Sequence, residues 1–380
     1  MSSGSSESSG TPARGDGPVV IVIGARAPYM HRLYERLGAE LDRPLHVLAC
    51  SAREAARQWD LPDPTAYRFE VVPGLRWYRS AVSNLYINPA IVPRLTALRP
   101  SIVIVNDFAP TMLMAAWTAR ILGRPYGVRT DGVPETDPGE RSWPHRMIRR
   151  LLVPPARFGL GASAGSLDLL ARYGLASERR ALAPLFPAWD PPATAPSPEA
   201  ERPFDLLFCG ILNEEVKGAR FFTEVVLACR ERGRALRVRI AGDGPLRAEM
   251  QARLSAAGID AQFDGFVQQA DLAAVYASAR LFLFPSRGDV WGIVIQEALQ
   301  SGTGVLASPH SGAARELVEA WDCGLVRPMT VEGWAEAALH LLDDPALRAT
   351  LQDRAAPALA RFSLAAATAA YQTAITAYAR

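Results

Sequence analysis

The sequence predicts an α/β protein of two doubly wound domains facing each other across a cleft. Three observations carry this expectation. Short β-branched apolar runs alternate with amphipathic stretches from Val19 onward, the pattern of parallel strands covered by helices on both faces. A proline-rich segment interrupts the alternation, and six prolines in the seventeen residues 187–203 can continue neither helix nor strand. The alternation then restarts at Phe204.

In the first half, Val19–Gly24, Leu45–Cys50, Phe69–Val72, Ile102–Asn106 and Tyr126–Thr130 read as buried strands bounded by turn residues. His31–Leu41, Pro89–Leu98 and Pro110–Leu122 read as the intervening helices. In the second half, Phe204–Gly210, Leu236–Ala241, Ala261–Gly265, Leu281–Pro285 and Gly304–Ser308 are the strands. Lys217–Arg232, Pro245–Ala257, Ala270–Ala279, Trp291–Ser301 and Gly312–Ala320 are their helices. The Ala-rich stretch from Pro345 to Arg380 is helical with a break near Phe362–Ser363. The expected division is a disordered tail over 1–17, a first domain over 18–188, a linker over 189–203, a second domain over 204–361 and a last helix over 362–380. Ligands of such sheets sit outside the carboxyl ends of the strands, so chemistry is sought in the loops after each strand.

Composition narrows the function. The chain has 380 residues, 49% hydrophobic and 21% charged, an ordinary globular mixture for two domains. No apolar run approaches the ~20 residues a membrane span needs. The Ser/Gly-rich N-terminus lacks the apolar core of a signal peptide. Four scattered cysteines without a CxxC pair argue for a reducing compartment and against a zinc site; the expected location is cytoplasmic. The net charge of +2 divides unevenly: residues 17–190 carry 22 Arg against 15 acids, and residues 201–380 carry 18 basic residues against 21 acids. A basic first half suggests an anionic partner there, such as a membrane, a polyanionic acceptor or a phosphate. No base-stacking motif accompanies it, so a nucleic-acid partner is not expected. Of 41 basic residues only Lys217 is not Arg, which makes Lys217 informative and every single Arg uninformative.

The most informative stretch is Pro285-Ser-Arg-Gly-Asp-Val-Trp-Gly-Ile-Val-Ile-Gln-Glu-Ala-Leu-Gln-Ser-Gly302. A strand ends, a loop carries Asp289, and a helix begins near Trp291-Gly292 and bears Glu297 in its second turn. The free N–H groups and positive dipole end of that helix suit a diphosphate. Asp289 and Glu297 are eight steps apart, about 12 Å if helical, a span that fits two carboxylates gripping hydroxyls at opposite ends of a nucleotide-sugar. The two acids alone are better explained by an ordinary strand-to-helix turn with an exposed Asp and a helical Glu.

This stretch resembles the signature of retaining glycosyltransferase family 4, the glycosyl transferases group 1, whose fold is GT-B: two Rossmann-like domains across a cleft. The shared features are an acid, seven residues and a Glu, with an aromatic-Gly pair and Glu-Ala before a Gly-containing turn. Asp289 stands where Glu is commoner, and Gly304 where Pro is usual. The resemblance implies that Glu297 holds the ribose hydroxyls and Asp289 the donor sugar, while backbone N–H groups around Trp291, Gly292 and Ile293 meet sugar and phosphate. Phe208-Cys-Gly-Ile-Leu-Asn-Glu-Glu-Val-Lys-Gly218 resembles the family's first donor-domain segment, with Gly210 and Lys217 in place. Ile211 occupies the position of a phosphate-facing Arg, and Arg287 is the candidate substitute cation. Ala241-Gly-Asp-Gly-Pro245 resembles the family's glycine turn, here Gly242 and Gly244. Phe263-Asp-Gly-Phe-Val267 resembles the nucleobase segment, here Phe266 and Val267. Ser308 to Val318, with Gly312 and Glu316, matches the next loop. The resemblance is strong over about 204–328.

The first half resembles the family loosely. Gly24 and Arg26, after the first strand, fall where members carry a glycine-rich loop near the acceptor. Thr130 and Asp131 stand where members often have a His, and Asp107 ends the preceding strand. Either Asp can orient an acceptor hydroxyl or act as base; capping of the following segment explains both equally well. His31 reads as a helix N-terminal residue. No cluster has metal-ligand spacing, so neither metal nor other cofactor is expected. Arg141–Phe158, with five Arg and no acid, and the acid-free stretch Val71–Asn106 suit peripheral contact with an anionic membrane, a solvated Arg face being the alternative.

The expected function is a metal-independent, retaining transfer of a hexosyl group from a nucleotide-diphosphate sugar, uridine favoured over guanosine, to a hydroxyl of an unidentified lipid-linked, polysaccharide or natural-product acceptor. The rivals are a non-catalytic nucleotide-sugar-binding partner subunit and a sugar-nucleotide epimerase of the same fold.

Overall fold

The computed structural model describes residues 17–52, 59, 61–80, 83–191 and 201–379. The expected disordered tail therefore lies outside the described residues except for Gly17, and so do residues 192–200 of the expected linker.

The first sheet has seven parallel strands in the order β3-β2-β1-β6-β7-β8-β9. They are β1 (Val19–Ile23), β2 (Leu45–Ala49), β3 (Arg68–Val71), β6 (Ile102–Asn106), β7 (Tyr126–Thr130), β8 (Phe158–Gly161) and β9 (Arg180–Leu182). Val19 pairs in register with Leu45 on one side and Ile102 on the other. Chain order therefore reverses direction at β1/β6, and a crevice opens at such a switch point. The covering helices are α1 (Pro28–Glu40), α2 (Ile91–Leu98), α3 (Pro110–Ile121), α4 (Trp143–Leu152) and α5 (Ala164–Arg172). Alternate residues of β1 feed opposite cores, Val20 and Val22 joining Met112 and Ala115 of α3, and Ile21 and Ile23 joining Leu33 and Leu37 of α1.

The second sheet has six parallel strands in the order β12-β11-β10-β13-β14-β15. They are β10 (Phe204–Cys209), β11 (Arg237–Ala241), β12 (Asp260–Gly265), β13 (Ala279–Phe284), β14 (Gly304–Ala307) and β15 (Leu325–Val326). Its switch point lies at β10/β13. The helices are α6 (Ala219–Glu231), α7 (Arg247–Ala256), α8 (Gln269–Ala277), α9 (Ile293–Gln300), α10 (Val331–Asp343) and α11 (Pro345–Arg361). Ala314–Glu319 forms a π-helical turn rather than the regular helix expected over 312–320. The chain breaks at Phe362–Ser363, where the Ser363 hydroxyl accepts from the Ala366 N–H at 3.2 Å and so caps α12 (Leu364–Tyr378). Ala367, Tyr371, Ala374 and Ile375 of α12 pack into the core of the first domain beside Ile21 and Leu33.

Two expected buried strands are edge strands. β3 and β12 carry exposed and half-buried residues along their length, because each ends a sheet and has a neighbour on one side only. The antiparallel hairpin β4 (Leu75–Ser80) and β5 (Ser83–Ile87) has no counterpart among the expected elements. Neither have α4, β8, α5, β9 and α10. β8 reads Phe-Gly-Leu-Gly, and two glycines in four residues erase the strand signal. Among the described residues, no helix is long and apolar enough to cross a membrane.

Candidate active site

On the donor side, the loop after β10 and the loop after β13 are stapled together. The Arg287 N–H and the Ser286 hydroxyl donate to the Val216 carbonyl at 2.8 and 2.9 Å. The staple brings Lys217 to Asp289, Nζ to Oδ2 at 2.6 Å, although the two lie 72 residues apart. Gly210 leaves β10 at φ 152, with Ile211 half exposed after it. A Cβ on Gly242 would stand 1.8 Å from the Gly210 carbonyl oxygen, so only glycine lets the two loops meet. Gly244 lies in the same turn, against Leu212. Gly292 caps α9 at φ 89, a left-handed conformation that glycine adopts without strain. Ile293 is thus the first residue of α9, two later than expected.

Glu297 projects from α9 into a buried position. Its carboxylate accepts from the Tyr276 hydroxyl at 3.0 Å and from the Gln269 amide at 3.4 Å. Burial raises its pKa to about 7, against the opposing pull of these hydrogen bonds and of Lys217. Phe266 is exposed at the end of β12, with Val267 half-buried beside it.

One donor-side expectation meets a different geometry. Arg287 is clasped by Glu214, Nε to Oε1 at 2.9 Å, so the substitute cation for Ile211 is already paired. The Trp291 side chain turns away from the loop: it is buried, stacks near Phe362 at 4.9 Å and donates to Gln296 Oε1 at 2.6 Å. Gln296 in turn donates to the carbonyls of Leu185 and Phe362 at 3.1 and 2.9 Å. One amide thus ties α9 to both chain crossings between the domains. Only the backbone of Trp291 remains on the donor loop.

On the other side, a cavity of about 440 Å³ opens at the carboxyl ends of β1, β6 and β7 and is lined by Gly24, Asp107, Arg129, Thr130, Asp131 and Asp137, among others. Asp107 adopts φ 68, a left-handed conformation uncommon for a non-glycine residue. It accepts from the Thr130 hydroxyl at 3.0 Å. Neither Asp107 nor Asp131 caps a helix: the N-cap of α3 is Ala109 and that of α4 is Ser142, without side-chain caps. Burial and the neighbouring Asp131 raise the Asp107 pKa to about 7. Arg129, almost wholly buried, reaches Asp131 at 3.5 Å and Asn106 at 3.2 Å. Arg26 does not line this cavity; it lies over the Phe69 ring at 4.2 Å and donates to the Pro62 carbonyl. His31 is buried in α1 and meets the Tyr67 hydroxyl at 2.9 Å.

The domains also touch directly. Glu316, from the π-helical turn, accepts from the Ala164 N–H at 2.8 Å and the Gly165 N–H at 3.4 Å at the start of α5. Arg129, Gln296 and Glu316 escaped the sequence reading as interacting residues. The Arg bias hid Arg129, and the inter-domain partners of the other two lie 66 to 152 residues away in sequence.

The donor-side residues fall inside a recognised domain. Residues 203–344 match the model of glycosyl transferases group 1. They form a glycosyl transferases group 1 domain. The chain is 32% identical over 171 residues to the alpha-D-kanosaminyltransferase of Streptomyces kanamyceticus, 44% of each chain. It is 28% identical over 234 residues to the D-inositol 3-phosphate glycosyltransferase of Pseudarthrobacter chlorophenolicus, covering 57% of this chain and 56% of that one. The matches span about half the length of these relatives. Among solved structures, Anabaena Alr3699/HepE in complex with UDP superposes with a TM-score of 0.74 over 95% of this chain and 100% of that one, at 17% identity. The fold is GT-B, and the group 1 domain is its second half.

Proposed function

We propose that this protein is a retaining, metal-independent glycosyltransferase that moves a hexosyl group from a nucleotide-diphosphate sugar, UDP favoured, to a hydroxyl of an acceptor held by the first domain. The observation that carries the reading is the Lys217–Asp289 pair at the N-terminal end of α9, with Glu297 buried behind it. A cation and a helix N-terminus then flank the place of a diphosphate. Glu297 accepts from the ribose hydroxyls, and Phe266 offers a face to the base. Asp289 holds the sugar once the diphosphate draws Lys217 toward itself. As the bond from the anomeric carbon to the phosphate oxygen breaks, its electron pair stays on the diphosphate. The acceptor oxygen bonds to the same face of that carbon, and its proton passes to the departing phosphate. Asp107 and Asp131 orient the acceptor. Closure of the cleft keeps water from competing. The exposed basic-aromatic face of α4 adds peripheral contact with an anionic membrane.

Calorimetric titration of UDP, GDP and ADP without metal, into the full chain and Glu297→Ala, tests the donor half. One nucleotide binds the native chain, and the substitution weakens it by about tenfold or more. Binding of none ends the donor reading; binding without transfer to any of a broad acceptor panel favours the non-catalytic partner subunit, a role in keeping with the exposed Ile211 and the clasped Arg287.

A further inference from the structure

The cavity of the first domain sets three carboxyl groups against two guanidiniums. Its ionisable lining comprises Asp107, Arg129, Asp131, Asp137, His145 and Arg149, together with tyrosines. Arg149 and Asp137 form a closed pair at 2.5 Å, both buried, with the Tyr173 hydroxyl on the same carboxylate at 2.7 Å and the Phe108 ring under the guanidinium at 4.5 Å. His145 Nδ1 meets the Ser142 hydroxyl at 2.7 Å. That leaves Asp107 and Asp131 sharing the single guanidinium of Arg129, which also serves Asn106. A second, independent feature belongs to the same cavity. The Tyr34 side chain lines it, is fully buried, and its hydroxyl has no hydrogen-bond partner among the described residues. Buried hydroxyls are rarely left so. The aromatic wall of Tyr29, Tyr86 and Phe108 suits the apolar face of a ring or a cation.

We propose, resting on the glycosyltransferase reading, that the hydroxyl acceptor is an amine-bearing cyclitol or sugar, and that Asp131 and Asp107 hold its ammonium group as the missing counter-charge. The ammonium donates to the Asp131 carboxylate, whose side chain is 35% exposed to the cavity, and relieves the repulsion between the two carboxylates that burial enforces. A phosphorylated acceptor finds the reverse situation. Both guanidiniums of the cavity already face carboxylates, although Arg149 Nε has no hydrogen-bond partner among the described residues, and a phosphate would meet Asp107 and Asp131 with no unpaired cation beside it. The basic first half, which suggested an anionic partner, thus does not extend to this cavity.

The test is calorimetry on the full chain at neutral pH with saturating UDP, using three probes of one ring size: 2-deoxystreptamine, myo-inositol and myo-inositol 1-phosphate. The diamine binds at least about tenfold more tightly than myo-inositol and weakens with added salt, as a charge-assisted contact does. Asp131→Asn removes about ten- to a hundredfold of that affinity, and Asp107→Asn lowers it as well. Unchanged UDP binding in both variants shows that they are folded. Failure of the diamine to bind, equal binding of myo-inositol, tighter binding of the phosphate, or full affinity in both variants each overturns the inference while leaving the donor reading standing. Loss of nucleotide binding in the native chain overturns the donor reading alone, since the probes are then titrated without UDP.

Discussion

At the scale of single residues, the candidate site holds carboxyl groups that the fold makes reluctant to ionise. Asp107 and Glu297 both have pKa values raised to about 7, chiefly by burial. The unfolded chain loses these protons near pH 4, while the folded chain keeps them to about pH 7. Stability from this source is full below pH 4 and declines as pH rises to about 7. Asp107→Asn and Glu297→Gln do not titrate, so their melting temperatures should match the native chain near pH 4.5 and exceed it at pH 8. Thermal unfolding at the two pH values checks this; equal or lower melting at pH 8 would count against the burial argument. Under the proposed roles, glycosyl transfer should fall in the same variants, the usual cost of stabilising a site poised for function. The residue scale also shows why Lys217 stood out in the sequence and Arg129 did not. In a chain whose other 40 basic residues are all Arg, a lysine is a signal and an arginine is background. Only the pairing partners separate the spent Arg287 and Arg26 from the structural Arg129.

At the scale of elements, the parallel strands were legible because strands buried on both faces are continuous apolar runs. β3 and β12 misled in burial, not in position, since an edge strand has one paired side. The hairpin β4–β5 and the short β8 and β9 escaped because three to six residues carry too little periodicity. α4 lay within a stretch read only for its arginines. Its fold role is now visible: Arg149 and Leu152 face inward, while Trp143 is 68% exposed and Leu151 39%. The outward Trp and Leu, flanked by Arg141 and Arg150, form the surface proposed to meet anionic lipid. Sedimentation with vesicles of anionic phospholipid at moderate salt should carry the native chain down and leave the Trp143→Ala/Leu151→Ala variant largely in solution. Native chain that stays in the supernatant would remove the membrane from the proposal.

At the scale of the whole molecule, two of the hydrogen-bonded contacts that join the domains bear on the site. Gln296 binds both crossings through Leu185 and Phe362, so α9, which bears Glu297, is anchored at the hinge. Glu316 caps α5 across the gap, a carboxylate on a helix N-terminus worth about 1 kcal/mol. Opening of the cleft there must break it. Glu316→Ala should therefore enlarge the radius of gyration in small-angle scattering, with the secondary structure intact by circular dichroism. An unchanged scattering profile would mean that this contact does not hold the cleft.

By itself, the sequence determined the two doubly wound sheets and the donor-side constellation of Lys217, Asp289 and Glu297. The sheets follow from a local rule, the spacing of apolar residues deciding strand and helix; the constellation stood out through its resemblance to a family signature. The tertiary structure alone decided which charges are available. Whether an arginine is free or already neutralised depends on a partner placed beside it by the fold, as Glu214 is beside Arg287 across 73 residues and Glu316 is beside Ala164 across 152. The charge of the acceptor cavity is a sum over such pairs, and no count along the chain contains it.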